Sequence, residues 1–222
     1  MCEKDKIIIA LPKGRILKPA LKLLSEIGIK PESDFNKSSA RRLRFKTNLD
    51  EVDIIRVRSF DAATFVAFGA AEIGIAGRDV LMEYDYPELY TPLDLGIGKC
   101  SLVVAEREID LVEDNPSNWS HVRVATKYPN LTNRYFAERG IQAECIKLSG
   151  AMELAPGLGL CRRIVDLVET GETLKANGLA VVSKIADISS CLIVNRAALK
   201  TKPKYISNFI NNLTEIVNGK ET

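Results

Sequence analysis

The sequence predicts an α/β fold in two lobes, with mainly parallel sheets and a cleft between the lobes. Short apolar runs alternate with helix-period segments along the whole chain, which is the pattern of strands joined by helices. The candidate strands are too many for one comfortable small sheet, and the longest linker-like stretch, Glu108 to Ser120 with Asn115-Pro116-Ser117, is too short to separate independent domains. Strands are expected at Lys6–Leu11, Asp53–Val57, Ile73–Ala76, Ser101–Ala105, Val122–Ala125, Ala143–Leu148, Ile164–Val168, Leu179–Ser183 and Cys191–Val194. Helices are expected at Arg15–Ile27, Ala62–Ala70, Leu131–Arg139 and Thr173–Ala176. A last helix over Lys204–Val217 carries Ile206, Phe209, Ile210, Leu213, Ile216 and Val217 at helical spacing, a stripe suited to a core. The first lobe is expected to span residues 1–98, the second 99–184, and residues 185–222 to return to the first.

Composition narrows the function classes. The chain has 222 residues, 46% of them apolar, enough for a sizeable core and against disorder. Lys plus Arg number 31 against 29 for Asp plus Glu, so a net charge of +2 makes no whole-molecule case for nucleic acid, and any basic site must be local. Five scattered cysteines, Cys2, Cys100, Cys145, Cys161 and Cys191, form no C-x-x-C pair and read as free thiols of a reducing compartment. A single histidine, His121, leaves little for metal or triad chemistry and reads as an ordinary strand-edge residue. No apolar run approaches the ~18 to 20 residues of a membrane span, and Met1 to Lys6 is polar, so a cytoplasmic location is expected.

The most informative stretch is Ile164 to Leu174. A buried strand carrying one acid, Asp166, runs straight into Thr170-Gly171-Glu172-Thr173 at a helix start. Gly171 permits a tight turn, the amides of Thr170 to Thr173 can converge on one anion, and both threonines add hydroxyl donors. Asp166 can accept from two adjacent sugar hydroxyls. The plainer reading is a satisfied carboxylate beside a capping threonine.

Two further groups are basic. Leu11-Pro12-Lys13-Gly14-Arg15 brings two cations and a glycine to the junction of a strand and a helix. The run Arg41-Arg42-Leu43-Arg44-Phe45-Lys46 lies close in sequence to Arg56 and Arg58, which share one strand face, and Arg58 ends its strand, where ligands of open α/β sheets bind. Each group also reads as an ordinary solvated surface. Gly157-Leu158-Gly159 and Gly96-Ile97-Gly98 fail as dinucleotide and Walker fingerprints, and no nucleophilic triad can be assembled around His121.

Together, the Leu11–Arg15 turn, Arg56-Val57-Arg58 with Asp61, the run Glu72 to Leu81, and the segment Glu153 to Leu174 resemble ATP phosphoribosyltransferase in its short form. The signature is Glu153, Gly159, Ile164, Asp166, Thr170-Gly171 and Thr173-Leu174. Cys161-Arg162-Arg163 departs from the family pattern, and no role is carried over to those positions. The resemblance implies a fold similar to type II periplasmic binding proteins. It implies transfer of the 5-phosphoribosyl group of 5-phosphoribosyl-1-pyrophosphate (PRPP) to N1 of ATP, giving N1-(5-phosphoribosyl)-ATP and pyrophosphate, the first step of histidine biosynthesis. Glu153, Asp166, Thr170, Gly171, Glu172 and Thr173 would bind PRPP, Lys13, Gly14 and Arg15 would bind ATP, and Arg58 with Arg41 or Arg42 would act on the departing pyrophosphate. Mg²⁺ is the implied cofactor, with no protein ligand assigned. A homodimer at least is implied, joined by a regulatory subunit similar to histidyl-tRNA synthetase, with no nucleic acid and no membrane. A non-catalytic two-lobed anion sensor and a phosphoribosyltransferase for another base remain as alternatives.

Overall fold

The computed structural model describes residues 6–36, 41–111 and 119–219. The chain divides into two compact units: Met1–Leu81, Asp85–Gly98 and Ser189–Thr222 form unit one, and Met82–Tyr84 with Lys99–Ile188 form unit two.

Unit one is a six-stranded sheet in the order β2-β3-β1-β4-β11-β5, where β1 is Ile7–Pro12, β2 Arg44–Lys46, β3 Val52–Val57, β4 Ile73–Gly77, β5 Leu89–Asp94 and β11 Ser190–Asn195. Alternation along β1 divides its side chains between two cores. Ile7, Ile9 and Leu11 join α1 (Leu17–Glu26) and α8 (Pro203–Asn218), whereas Ala10 joins α2 (Ser59–Ala67) and Val80 of α3 (Arg78–Tyr84). The expected stripe of α8 is core: Ile206, Phe209, Leu213 and Val217 are buried in the first cluster, with Ile210 and Ile216 packed against it. Each such side chain removed from water contributes about 1.5–3 kcal/mol. The short α7 (Arg196–Thr201) is capped by Asn195, whose Oδ1 accepts from the amides of Ala197 and Ala198 at 2.9 and 3.2 Å. Its Nδ2 donates to the carbonyls of Val66 and Ala67 at the end of α2, at 2.8 and 3.1 Å.

Unit two is a five-stranded sheet in the order β10-β6-β9-β7-β8, where β6 is Cys100–Arg107, β7 His121–Thr126, β8 Gln142–Lys147, β9 Arg163–Val168 and β10 Leu179–Ile188. Helices α4 (Pro129–Ala137), α5 (Leu154–Gly157) and α6 (Glu172–Ala176) accompany it.

All nine expected strands form, and among the described residues two more join them at sheet edges. The strand β5 was hidden by Pro92, which an edge strand tolerates because one side of it needs no ladder. The strand β2 lies inside the basic run. The parallel pairs expected occupy the middle of the first sheet, β3-β1-β4, and one side of the second, β9-β7-β8. The pairs β2-β3, β4-β11, β11-β5, β6-β9 and β6-β10 are antiparallel, so both sheets are mixed rather than mainly parallel. The chain leaves unit one after β5 and re-enters it at β11, and segments running out and back must oppose one another. Helix α2 begins earlier than expected, directly after Arg58, and also ends earlier, because Gly69 at φ +71° closes it with the amide of Ala70 bonded to Phe65. Among the described residues, no helix is long and apolar enough to cross a membrane.

Candidate functional site

In unit one, β3, β1 and β4 run parallel, so their carboxyl ends open on the same sheet edge. Pro12 is paired with Val57, which brings Lys13 and Arg58, one residue further on, side by side. The amide of Lys13 donates to the carbonyl of Val57 at 2.8 Å and fixes that junction. Gly14 takes φ +102° with open space where a Cβ would stand, so the turn needs glycine and leaves the backbone accessible. The side chains of Lys13, Arg15 and Arg58 reach solvent; Arg15 makes a long 3.4 Å contact to the Gly98 carbonyl. Arg58 stands in extended conformation just before α2, with Asp61 in that helix's first turn.

The rest of the basic run divides differently. Arg44 binds Asp53 at 2.8 Å across the β2-β3 pair. Arg56 is wedged between the rings of Phe35 and Phe45, 5.4 and 5.2 Å from their centroids, and donates to the Phe35 carbonyl at 2.6 Å. Both are packing elements. Arg42 lies 3.2 Å from Asp34 and 3.6 Å from Glu32, while Arg41 is exposed.

In unit two, one hydrophobic cluster holds every element of the expected PRPP set. Met152 and Ala155 flank Glu153, Ile164 represents β9, and Leu174 is the buried residue of α6. Glu153 precedes α5 and is half-buried, as is Asp166 on β9. Asp166 Oδ1 accepts from the amide of Leu167 at 2.8 Å. After β9, Gly171 adopts φ +80° as the residue preceding α6, and Thr170 Oγ1 accepts from the amide of Glu172 at 3.4 Å. The plain capping role weighed for Thr170 is therefore weak: the contact is long, and the helix boundary falls on Gly171. Thr170, Glu172 and Thr173 are exposed. A turn with left-handed glycine, two exposed hydroxyls and an acid on the preceding strand can grip a phosphate monoester and neighbouring hydroxyls.

The family model for ATP phosphoribosyltransferase (HisG) matches residues 58–215. The chain belongs to the ATP phosphoribosyltransferase family. The ATP phosphoribosyltransferase of Rhodospirillum rubrum is 62% identical over 211 residues, covering 95% of this chain and 93% of the relative. That of Paramagnetospirillum magneticum is 61% identical over 219 residues, covering 99% of this chain and all of the relative. Among solved structures, a chain of the ATP phosphoribosyl transferase (HisG:HisZ) complex from Thermotoga maritima superposes with a TM-score of 0.81 at 32% identity, covering 96% of this chain and 99% of that one. The periplasmic aliphatic sulphonate binding protein SsuA of Escherichia coli superposes with a TM-score of 0.58 at 13% identity, covering 96% of this chain and 68% of that one. That second likeness concerns the fold alone, and it matches the periplasmic-binding-protein expectation.

The departure from the ATP phosphoribosyltransferase pattern at Arg162-Arg163 has a structural explanation. Arg163 is cross-strand partner to the fully buried Glu106, lies 3.2 Å from its carboxylate and stacks 3.7 Å over the Trp119 ring. Arg162 donates to the Asp110 carbonyl at 2.8 Å and approaches Glu106 at 3.6 Å. These cations hold the start of β9, and an isolated buried Glu106 would be costly without them. His121 opens β7 and is exposed. Cys100, Cys145, Cys161 and Cys191 are free thiols, and Cys2 lies outside the described residues. Burial pushes the Cys145 thiol up to about 11, and it raises Cys161 and Cys191 in the same direction. None of these three is prepared as a nucleophile.

Proposed function

We propose that the chain transfers the 5-phosphoribosyl group of PRPP to N1 of ATP, releasing pyrophosphate, as the first step of L-histidine biosynthesis in the cytoplasm. The observation that carries this reading is likeness to ATP phosphoribosyltransferases over nearly the whole chain, at 61–62% identity. The shared core of unit two that takes Met152, Ala155, Ile164 and Leu174, which flank Glu153, Asp166 and the Thr170–Thr173 turn, supports it.

In this reading unit two takes PRPP. The Thr170-Gly171-Glu172-Thr173 turn holds the 5-phosphate, and Glu153 and Asp166 accept from the ribose hydroxyls. Unit one takes the nucleotide through Lys13, Gly14 and Arg15, while Arg58, with Arg41 or Arg42, stabilises charge on the departing pyrophosphate. Two polyanions have to meet, and like unit charges at 4 Å oppose one another by about 4 kcal/mol at an effective dielectric of 20, so cations are obligatory. Adenine N1 attacks the anomeric carbon as a neutral nitrogen. The N1–carbon bond forms as the bond to pyrophosphate oxygen breaks, and the proton leaves later from the exocyclic amine. No strong base is needed, which suits a chain whose single histidine stands exposed at a strand start.

Mg²⁺ fits as a substrate-borne ion. No group of three His, Cys, Asp or Glu suited to a dedicated site occurs among the described residues, and Mg²⁺ is commonly held by substrate phosphates with one or two carboxylates. When bound, it supplies positive charge to the pyrophosphate oxygens. The functional assembly is at least a homodimer, joined by a regulatory subunit similar to histidyl-tRNA synthetase, in keeping with the HisG:HisZ complex of the Thermotoga maritima relative.

The test is to mix the chain with ATP, PRPP and Mg²⁺, with and without that partner. Ultraviolet absorbance should rise as N1 is substituted, with stoichiometric pyrophosphate. Silence in both arms overturns the reading.

A further inference from the structure

We infer that Arg78 is an additional nucleotide-binding residue of unit one, and that Asp94 and Ser189 position it. This rests on the proposed transfer reaction and extends its nucleotide side.

The register places Arg78 with the cations already named. Ala10 of β1 pairs with Gly74 of β4, so continuing the parallel ladder sets Lys13 level with Gly77, while Pro12 pairs with Val57 on the other side. Neighbouring strands lie about 4.8 Å apart, so Arg58, Lys13 and the Gly77-Arg78 junction form a backbone row about 10 Å across at one sheet edge. Cations leaving that row, Arg78 on the side toward β5, offer a polyphosphate several points of opposite charge.

The side chain of Arg78 is held in a defined way. Its Nη2 donates to Asp94 Oδ2 at 3.1 Å, and its amide donates to the Ser189 carbonyl at 2.8 Å. Asp94 is fixed in turn by three other groups: the Ser189 hydroxyl donates to the same Oδ2, the Gly96 amide donates to Oδ1 at 2.9 Å, and β5-β11 pairing sets Asp94 against Cys191. The carboxylate thus spreads its charge over several donors and takes Arg78 through a single guanidinium nitrogen, not the two-point fork of a closed ion pair. Arg78 also touches the Cys191 sulfur. About half of the guanidinium side chain remains exposed, with N–H groups beyond these contacts available to phosphate oxygens. A Cβ at Gly77 would run into the Asp79 carboxylate, so the strand end that precedes Arg78 leaves little room for a side chain.

Steady-state kinetics of the assembled enzyme and calorimetric ATP binding test this on Arg78→Ala, Arg78→Lys, Asp94→Asn and Ser189→Ala. Arg78→Ala should raise KM for ATP by about tenfold or more, the scale of one lost charge-assisted hydrogen bond, with KM for PRPP within about threefold of the parent. Arg78→Lys should restore part of the loss. Asp94→Asn and Ser189→Ala should give intermediate increases in KM for ATP with folding intact. A parent-like KM for ATP in Arg78→Ala, or a fall in melting temperature without kinetic change, overturns the inference and leaves a structural ion pair. If the parent binds ATP but makes no product, the transfer reading fails on its own, and weaker ATP binding by Arg78→Ala still decides for this residue. A parent that binds no ATP overturns both.

Discussion

Replacing Asn195 with alanine removes four hydrogen bonds from a buried point where two helices meet. The lost oxygen leaves the first amides of α7 uncapped, which costs about 1 kcal/mol. The lost amide leaves the carbonyls of Val66 and Ala67 without this donor in a buried setting, which adds about 1–3 kcal/mol. Together the destabilisation should be about 2–4 kcal/mol, read by urea unfolding monitored by circular dichroism with the slope held equal. Asn195→Asp keeps the acceptor and loses the donor, so it should fall between the alanine variant and the parent. An alanine variant within about 0.5 kcal/mol of the parent would refute the claim that one side chain staples α2 to α7.

Asp166→Ala and Thr173→Ala should each lower turnover by at least about tenfold, equivalent to about 1.4 kcal/mol of lost binding in the transition state, and parent-like rates would remove these residues from the site. Arg58→Ala should reduce turnover far more than thermal stability, since its side chain reaches solvent at a strand end; an equal loss of melting temperature would mark it as structural. Cys145 should react slowly with thiol reagents at pH 8 and accelerate only as pH nears about 11. Its folded pKa is raised, so the stability linked to it is present below the ordinary thiol range and is lost as pH climbs through the folded value. Labelling at the rate of an unfolded thiol would contradict that burial.

The chain's apolar runs made the strands legible, because a run of β-branched residues has few other uses. What stayed hidden was decided by partners distant in sequence. Arginines 42, 44, 56 and 58 look alike in a string of letters, yet Arg44 is committed to Asp53, Arg56 to two phenylalanine rings, and Arg42 to Glu32 and Asp34. Only the backbone register shows that Arg58 stands beside Lys13. Arg163 stood out only as a departure from the family pattern with no role assigned, and pairing with β6 sets it on Glu106. The short α3 and α7 had too few residues to display a helical period. By contrast, the turn after β9 was readable because its chemistry is local: Gly171 adopts a positive φ that suits the tight turn expected of it, directly after Thr170 and two residues before Thr173.

That turn is tied to the core by little. Helix α6 has five residues, and Leu174 is its one buried side chain, so the segment hangs on a single apolar peg. Its local opening free energy must be small beside that of β9, and amides from Glu172 to Ala176 should exchange with deuterium well before those of Ile164 and Val165. A bound sugar phosphate would slow that exchange, and part of its intrinsic affinity would be spent on quieting the loop. Under the proposed reaction, enlarging the peg or doubling it should tighten sugar-phosphate binding while delaying product escape, since a looser tether trades affinity for release.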